Sequence, residues 1–144
     1  MSIVRAVVER RDDNLILWLG SHSVPIDDTV VAQRPALGAM DGRQVGVGLR
    51  PEMLHRDERG PIAASVAGTE LHGGDRLLSA TIDARSVNQR LGSVCDGVDR
   101  HSTIATFVDA HADIDPWKPL RLRVDLGDVH LFDLSTGARI ETSP

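Results

Sequence analysis

Apolar and polar positions alternate along most of the chain, and this alternation predicts β-strands. Over residues 43–50 the apolar residues Val45, Val47 and Leu49 share one face, and glycines lie on the other. Glycines inside a strand indicate close packing of another backbone or a bulge. Further strands are predicted at similar spacing, over residues 3–8, 15–19, 21–26, 62–66, 76–84, 103–108, 120–126, 129–131 and 138–142. The pattern predicts an all-β sandwich or barrel of short antiparallel strands.

Little of the chain has a helical pattern. Residues 29–40 accommodate a short helix, but Pro35 and Gly38 limit its length. Residues 86–98 fit either a helix or a loop. A polar patch over residues 55–61 is the best candidate division of the chain. We therefore predict one domain over residues 1–144, with strand-rich portions at about 1–54 and 61–144.

Composition and charge narrow the classes of partner. The chain has 144 residues and a formal net charge of −5, whereas binding to nucleic acid or anionic lipid needs a surplus of Lys and Arg on one face. We therefore predict no nucleic-acid partner. The single cysteine, Cys95, excludes an internal disulfide and favours a cytosolic chain. No apolar run approaches the ~18 residues that a membrane span needs.

The common catalytic motifs are absent from the sequence. It contains no G-x-x-x-x-G-K-[ST] phosphate loop, no helix-opening G-x-G-x-x-G and no G-x-S-x-G. His101, His111 and Asp113 form the densest group of potential metal ligands, and an H-x-D pair in a strand can bind zinc or iron. A third ligand at a fitting spacing is not visible, so a solvated loop is the alternative interpretation. We predict no catalytic residue, no metal and no cofactor for this chain.

Two segments of the sequence resemble a known family. Residues 47–54 read V-G-L-R-P-E-M-L, and residues 126–140 read L-G-D-V-H-L-F-D-L-S-T-G-A-R-I. Together they resemble the C-terminal regulatory (TOBE) domain of ATPase subunits from carbohydrate-type ABC importers, the maltose and glycerol-phosphate importer group. Residues 70–75 resemble the turn that this family carries between the two motifs. The sequence departs from the family at residues 85–101, which are longer than the usual connection, and at Pro-Trp-Lys-Pro over residues 116–119, where the family has Pro-Gly-Asp.

The resemblance implies a fold, partners and a location. The fold would be an OB-like β-barrel in the tandem form of these ATPases, which pairs with a second copy about a two-fold axis and performs no catalysis of its own. The parent subunit would add a nucleotide-binding domain, which binds ATP and Mg and is absent from this chain, and it would contact membrane permease subunits. It would lie in the cytoplasm, peripheral at the inner face of the plasma membrane. Met1-Ser2 fits the end of the family's hinge, which suggests an excised domain.

Five residues are candidates for a regulatory or interface role on this resemblance: Arg50, Pro51, Glu52, Glu70 and Phe132. Pro51 fixes φ and removes a backbone donor at the end of the predicted strand. Arg50 and Glu52 are close enough to pair with each other, as a local turn worth ~0–1 kcal/mol if exposed, or to pair across an interface. Phe132 is expected either in the core or in an interface, where aromatic residues are enriched.

A second function is also compatible with the sequence. Residues 83–92, D-A-R-S-V-N-Q-R-L-G, loosely resemble the S-A-R-N-x-x-x-G opening of barrel domains in molybdate systems. This resemblance implies a small-oxyanion binding module. Asp83 stands where that motif has Ser, and its carboxylate would repel an anion.

Overall fold

The fold of the protein, described as a computed structural model over residues 1–90, 93–96 and 101–140, is all-β. Strands take 55% of the residues and helical turns 11%, which confirms the prediction of an OB-like all-β fold with little helix. The described strands are β1 Ser2–Arg11, β2 Asn14–Leu19, β3 His22–Ile26, β4 Gln44–Leu49, β5 Leu54–Arg56, β6 Ile62–His72, β7 Asp75–Ile82, β8 Val87–Arg90, β9 Ser93–Asp96, β10 Ser102–Asp109, β11 Leu120–Val124, β12 His130–Asp133 and β13 Arg139–Ile140. Helix α1, Asp28–Gln33, is followed by a 3₁₀ turn at Pro35–Ala39, and a second 3₁₀ turn spans Pro51–Met53.

The first sheet has six antiparallel strands in the order β13-β12-β4-β1-β2-β3. Its first hairpin, β1–β2, has a turn of only two residues, because Arg11 already pairs with Asn14. Asp12 supplies the left-handed conformation of this turn with φ 57°, which Asp tolerates better than most residues. The turn is therefore shorter than the gap between the strands predicted over residues 3–8 and 15–19.

The second sheet has five antiparallel strands in the order β10-β7-β6-β11-β5 and curls into a nearly closed barrel. Its two edge strands meet where the Thr106 hydroxyl donates a hydrogen bond of 2.7 Å to the Leu54 carbonyl oxygen. Leu78 and Leu122 are fully buried inside this sheet.

The two sheets share one core, and the chain enters the first sheet twice. After completing the second sheet at β11, the chain returns so that β12 pairs with β4. A single cluster of buried apolar side chains extends through both sheets. The six-stranded sheet therefore combines strands from the two ends of the chain, whereas the predicted portions at 1–54 and 61–144 follow chain order. The predicted domain bounds are not tested by this arrangement and stay a prediction.

Three short strands have no counterpart in the sequence prediction. Strand β5 overlaps the start of the polar patch at residues 55–61, and β8 and β9 form a separate hairpin within residues 86–98. The hairpin is attached to β1 by a hydrogen bond of 2.8 Å from the Arg5 amide to the Arg85 carbonyl oxygen, and by a β-bridge between Val4 and Ser86. Such long-range backbone bonds leave no periodicity for a local pattern to detect.

Candidate functional site

The fold places the two motif segments side by side on adjacent strands. In the pairing of β4 with β12, Gly48 lies opposite His130 and Gly46 lies opposite Phe132. Strand β13 then places Arg139 opposite Phe132. Because alternate residues of a strand point to one face, these residues share the face of the sheet that points away from the main core. We call this surface the motif face and define it by Gly46, Gly48, Arg50, His130, Phe132 and Arg139.

The glycines of β4 make room for side chains on the motif face. A Cβ atom on Gly48 would lie 2.7 Å from the Met1 sulfur and 3.1 Å from the His130 Cβ. A Cβ atom on Gly46 would lie 3.3 Å from a methyl carbon of Ile3. The ladders from β4 to β1 and to β12 run in regular register. The structure thus corrects the expectation of a bulge or a second backbone, because neighbouring side chains occupy the space.

Phe132 is buried within the motif face and belongs to a small apolar cluster. Its exposed fraction is 6%, and it packs with Ile3, Val87 and Leu134. Val87 is the first residue of β8, so the start of the β8–β9 hairpin covers the ring. The structure therefore shows Phe132 in a packing role.

Arg50, Pro51 and Glu52 form the edge of the motif face where β4 ends. Arg50 continues the extended backbone of the strand, with φ −109° and ψ 154°, and Pro51 opens the 3₁₀ turn that buries Met53. Arg50 and Glu52 are both exposed. Within the residues that the structure describes, neither side chain takes part in an ion pair. Arg50 and Glu52 therefore do not form the local ion pair that was one of the two interpretations of this turn.

His130 lies between arginines that come from separate parts of the chain. Burial lowers the pKa of His130, and the positive charges of Arg139, Arg50 and Arg34 lower it further. Arg34, which follows α1, is only 4% exposed, and its guanidinium donates hydrogen bonds to the carbonyl oxygens of Gly127 and Val129. The imidazole is therefore mostly neutral near pH 7 and sits in a positive field. None of the five candidates predicted from the sequence is His130, Arg139 or Arg34, although His130 and Arg139 lie inside the second motif segment.

Glu70 lies elsewhere, on the five-stranded sheet. It is part of strand β6 and pairs in register with Leu77, which in turn lies opposite Phe107 of β10. Its carboxylate is 3.4 Å from His72 Nε2, and its side chain is 72% exposed. Strand β6 continues to His72, so Glu70 belongs to a strand. The turn consists only of Gly73 and Gly74 and is narrower than the one predicted over residues 70–75. The five predicted residues therefore occupy two separate surfaces.

A cavity of about 480 Å³ lies beside the loop that joins β10 to β11. Three cationic and three anionic side chains line it, together with four apolar residues: Arg56, Lys118, Arg121, Glu58, Asp113, Asp115, Val66, Ile114, Pro119 and Leu120. Its volume falls in the range of small-molecule sites. The neighbouring Trp117 is 93% exposed. In the sequence, residues 116–119 stand out only as a departure from the family motif, because a cavity formed by residues far apart in sequence has no local pattern.

The structure gives no support to the metal hypothesis. Within residues 1–90, 93–96 and 101–140, no three His, Cys, Asp or Glu side chains are grouped as a metal site would require. The Asp113 carbonyl oxygen accepts a hydrogen bond of 3.2 Å from Arg56. His111 donates its backbone N–H to the Asp109 carboxylate at 2.8 Å, which is a local turn contact.

Asp83, the first residue of the segment that resembles molybdate-system domains, contacts the turn between β2 and β3. The Asp83 carboxylate accepts a hydrogen bond of 3.3 Å from the Ser21 amide and lies 3.2 Å from His22 Nε2. Burial raises the pKa of Asp83, but hydrogen bonds from Ser21 and the charge of His22 outweigh it, so the pKa lies below its usual value. Asp83 is thus a charged partner of the β2–β3 turn. Residues 91 and 92 of this segment lie outside the described residues.

No helix among the described residues has the length and apolar character to cross a membrane. Comparison with models of known protein families gave no match. Comparison with curated proteins also gave no match.

Proposed function

We propose that the chain is a regulatory and dimerisation domain of the ATP-binding subunit of an ABC importer for sugars or related solutes, such as glycerol-phosphate. The observation that carries this proposal is the pairing of β4 with β12. Residues 47–54 and 126–140 are more than 70 positions apart in the sequence, yet Gly48 lies directly opposite His130. The two motifs that carry the resemblance therefore form one surface.

The OB-like barrel is consistent with this function, and no part of the proposal requires bond chemistry in this chain. The partners would be the subunit's own nucleotide-binding domain, a second copy of the subunit and the membrane permease subunits. ATP and Mg would bind to the nucleotide-binding domain of the parent subunit. A two-fold contact that persists while the nucleotide domains open and close would raise their effective concentration for one another. The complex would act in the cytoplasm, at the inner face of the plasma membrane.

The first test is to sequence the reading frame upstream of Met1 in the source DNA. The proposal expects an in-frame phosphate loop about one to two domain lengths upstream, some 200 residues or more. A stop codon and a ribosome-binding site directly before Met1 would contradict it.

The second test uses the intact subunit from that reading frame. Substituting Arg50→Gln or Glu52→Gln is expected to alter pairing or regulation and to leave ATP binding unchanged, because both residues are exposed and form no described ion pair. Arg59→Gln is the matched control, since Arg59 is exposed in the turn between β5 and β6. Sedimentation and nucleotide titration measure the two properties separately. Loss of nucleotide binding in the Arg50 or Glu52 variant alone would count against a regulatory role.

A further inference from the structure

Two cationic side chains, Arg50 and Arg139, flank His130 on the motif face. Directly opposite His130 on β4 is Gly48, so Arg50 is its diagonal neighbour on that side. Arg139 pairs with Phe132 and is the diagonal neighbour on the other side, in β13. Diagonal Cβ atoms in an antiparallel sheet are about 7–8 Å apart, which long arginine side chains span. Both guanidinium groups can therefore reach the edge of the imidazole.

The exposed guanidinium groups of Arg50 and Arg139 have no ion-pair partner among the residues that the structure describes. Elsewhere in the protein, exposed arginines pair with carboxylates: Arg11 with Glu9 at 2.9 Å, and Arg123 with Asp125 at 2.9 Å. Within residues 1–90, 93–96 and 101–140, no ion pair joins Arg50, Arg139 or His130 to a carboxylate. Within the described part of the motif face, Arg50 and Arg139 are therefore two unneutralised positive charges on a chain whose net charge is −5.

A buried arginine adds to the positive field from behind the sheet. Arg34 is 4% exposed, and its hydrogen bonds to the carbonyl oxygens of Gly127 and Val129 hold it next to the backbone that leads into His130. A charge in this position is screened less by solvent than an exposed one. Arg34 therefore acts as a fixed positive charge, while Arg50 and Arg139 are the exposed donors.

We propose that Arg50, His130 and Arg139 form a binding site for the oxyanion group of a small molecule, a phosphate or a carboxylate. Guanidinium groups match the geometry of both anions through paired N–H donors. A small ligand fits better than nucleic acid, because two arginines and one histidine neutralise a single anionic group and cannot follow a polyanion. The site is distinct from residues 83–92, and it does not depend on the proposed transport function.

The surroundings of His130 determine the expected pH dependence. The charged groups around it are Arg34 from the segment after α1, Arg50 after β4 and Arg139 in β13, with exposed Asp128 two residues earlier on its own segment. A bound anion offsets the arginine charges and favours the imidazolium form, so binding is linked to proton uptake. Affinity should therefore rise as the pH falls from 8 to 6.

The experiment is calorimetric titration of this chain with inorganic phosphate, phenyl phosphate, succinate and sulfate at low ionic strength, with chloride as the ionic control. Binding by the phosphates and sulfate but not succinate would assign the site to phosphate-type ligands, and the reverse would assign it to carboxylates. Because sulfate does not titrate between pH 6 and 8, its affinity isolates the protonation of His130. Chloride at matched ionic strength is expected to compete only weakly. Heats no larger than those of chloride for every probe would overturn the proposal.

Variants locate the site. Each of Arg50→Gln and Arg139→Gln removes a charge-assisted pair of hydrogen bonds and is expected to weaken binding about tenfold or more. His130→Gln should abolish the pH dependence while retaining part of the affinity. Arg59→Gln and Arg85→Gln are matched controls, because both arginines are exposed and lie outside the motif face. Loss of binding in Arg85→Gln with full binding in Arg50→Gln would overturn the proposal and move the site to residues 83–92.

The test is separate from that of the proposed function. Oxyanion affinity is measured on this chain, whereas the transport proposal is decided by the upstream reading frame. Circular dichroism of each variant monitors folding, and because Arg50 and Arg139 are exposed, both variants are expected to fold. If either one unfolds, Arg50→Lys and Arg139→Lys keep the charge but lose the paired donors, and unchanged affinity in both would contradict the paired-donor site.

Discussion

The motif face contains two glycines and one phenylalanine, and at the tip of the β6–β7 hairpin two glycines lie near Phe107 of β10, but the two regions use these residues differently. Gly46 and Gly48 lie under side chains, and Phe132 beside them is 6% exposed. At the hairpin tip, Gly73 and Gly74 have no atom within 4 Å of an added Cβ, and Phe107 nearby is 44% exposed. The comparison shows that glycine serves packing in one region and turn formation in the other. Phe132 is therefore expected to contribute more to stability than Phe107.

The largest expected difference in the free energy of unfolding is between variants of the two phenylalanines. Phe132→Ala should lower the free energy of unfolding by about 3–5 kcal/mol, because it leaves a cavity among Ile3, Val87 and Leu134. Phe107→Ala should lower it by less than about 1 kcal/mol, since the ring is half-exposed. Urea unfolding followed by tryptophan fluorescence measures both. Equal losses would mean that the motif face is not packed as described.

Substitutions in the two glycine pairs should differ in stability by an intermediate amount. Gly48→Ala places a Cβ 3.1 Å from the His130 Cβ, which is fixed to the backbone, and should cost about 1–2 kcal/mol of stability. Gly74→Ala meets no atom within 4 Å and should change stability by no more than about 0.5 kcal/mol. Thermal unfolding of the two variants tests this difference. A neutral Gly48→Ala would show that Met1 and His130 can move aside.

The smallest expected difference in stability is between variants of two acidic residues, Asp133 beside the motif face and Glu70 on the β6–β7 hairpin. Asp133 accepts hydrogen bonds from the Ser135 hydroxyl at 2.6 Å and the Ser135 amide at 2.9 Å, and these bonds hold its pKa below its usual value. A lowered pKa means that its contribution to stability is complete above the unfolded-state value of about 4 and is lost as the pH falls through the folded-state pKa. Asp133→Asn should therefore reduce stability at pH 7 by at most about 1 kcal/mol and flatten the loss of stability in acid.

Glu70→Gln is the comparison for Asp133→Asn. The Glu70 carboxylate is 3.4 Å from His72 and 72% exposed, so its removal should change stability at pH 7 by only a few tenths of a kcal/mol. Unfolding midpoints measured between pH 3 and pH 7 give both results. An acid dependence identical to that of the wild type in Asp133→Asn would contradict the role assigned to the Ser135 hydrogen bonds.

Local alternation was sufficient to predict most of the strands and the all-β class. Strand β10, for example, buries every second residue from Ser102 to Val108, and the resulting period of two is visible without a structure. Strand β5 was missed because it has three residues and its register comes from pairing with the distant strand β11. Strands β8 and β9 were missed because each has only four residues, too few for a clear period of two. The gap between the strands predicted over residues 3–8 and 15–19 was too long, since strand pairing extends to Arg11 and Asn14.

The candidate site shows the same division between local pattern and tertiary structure. The sequence by itself determined that Arg50, Pro51 and Glu52 follow a strand and that Phe132 is apolar within another. It also determined that both segments carry quoted motifs. Only the tertiary structure decided that β12 lies against β4, which places Arg139 and His130 near Arg50 and leaves Glu70 on another sheet. The physical reason is that strand pairing between residues more than 70 positions apart depends on which buried faces match across the whole core.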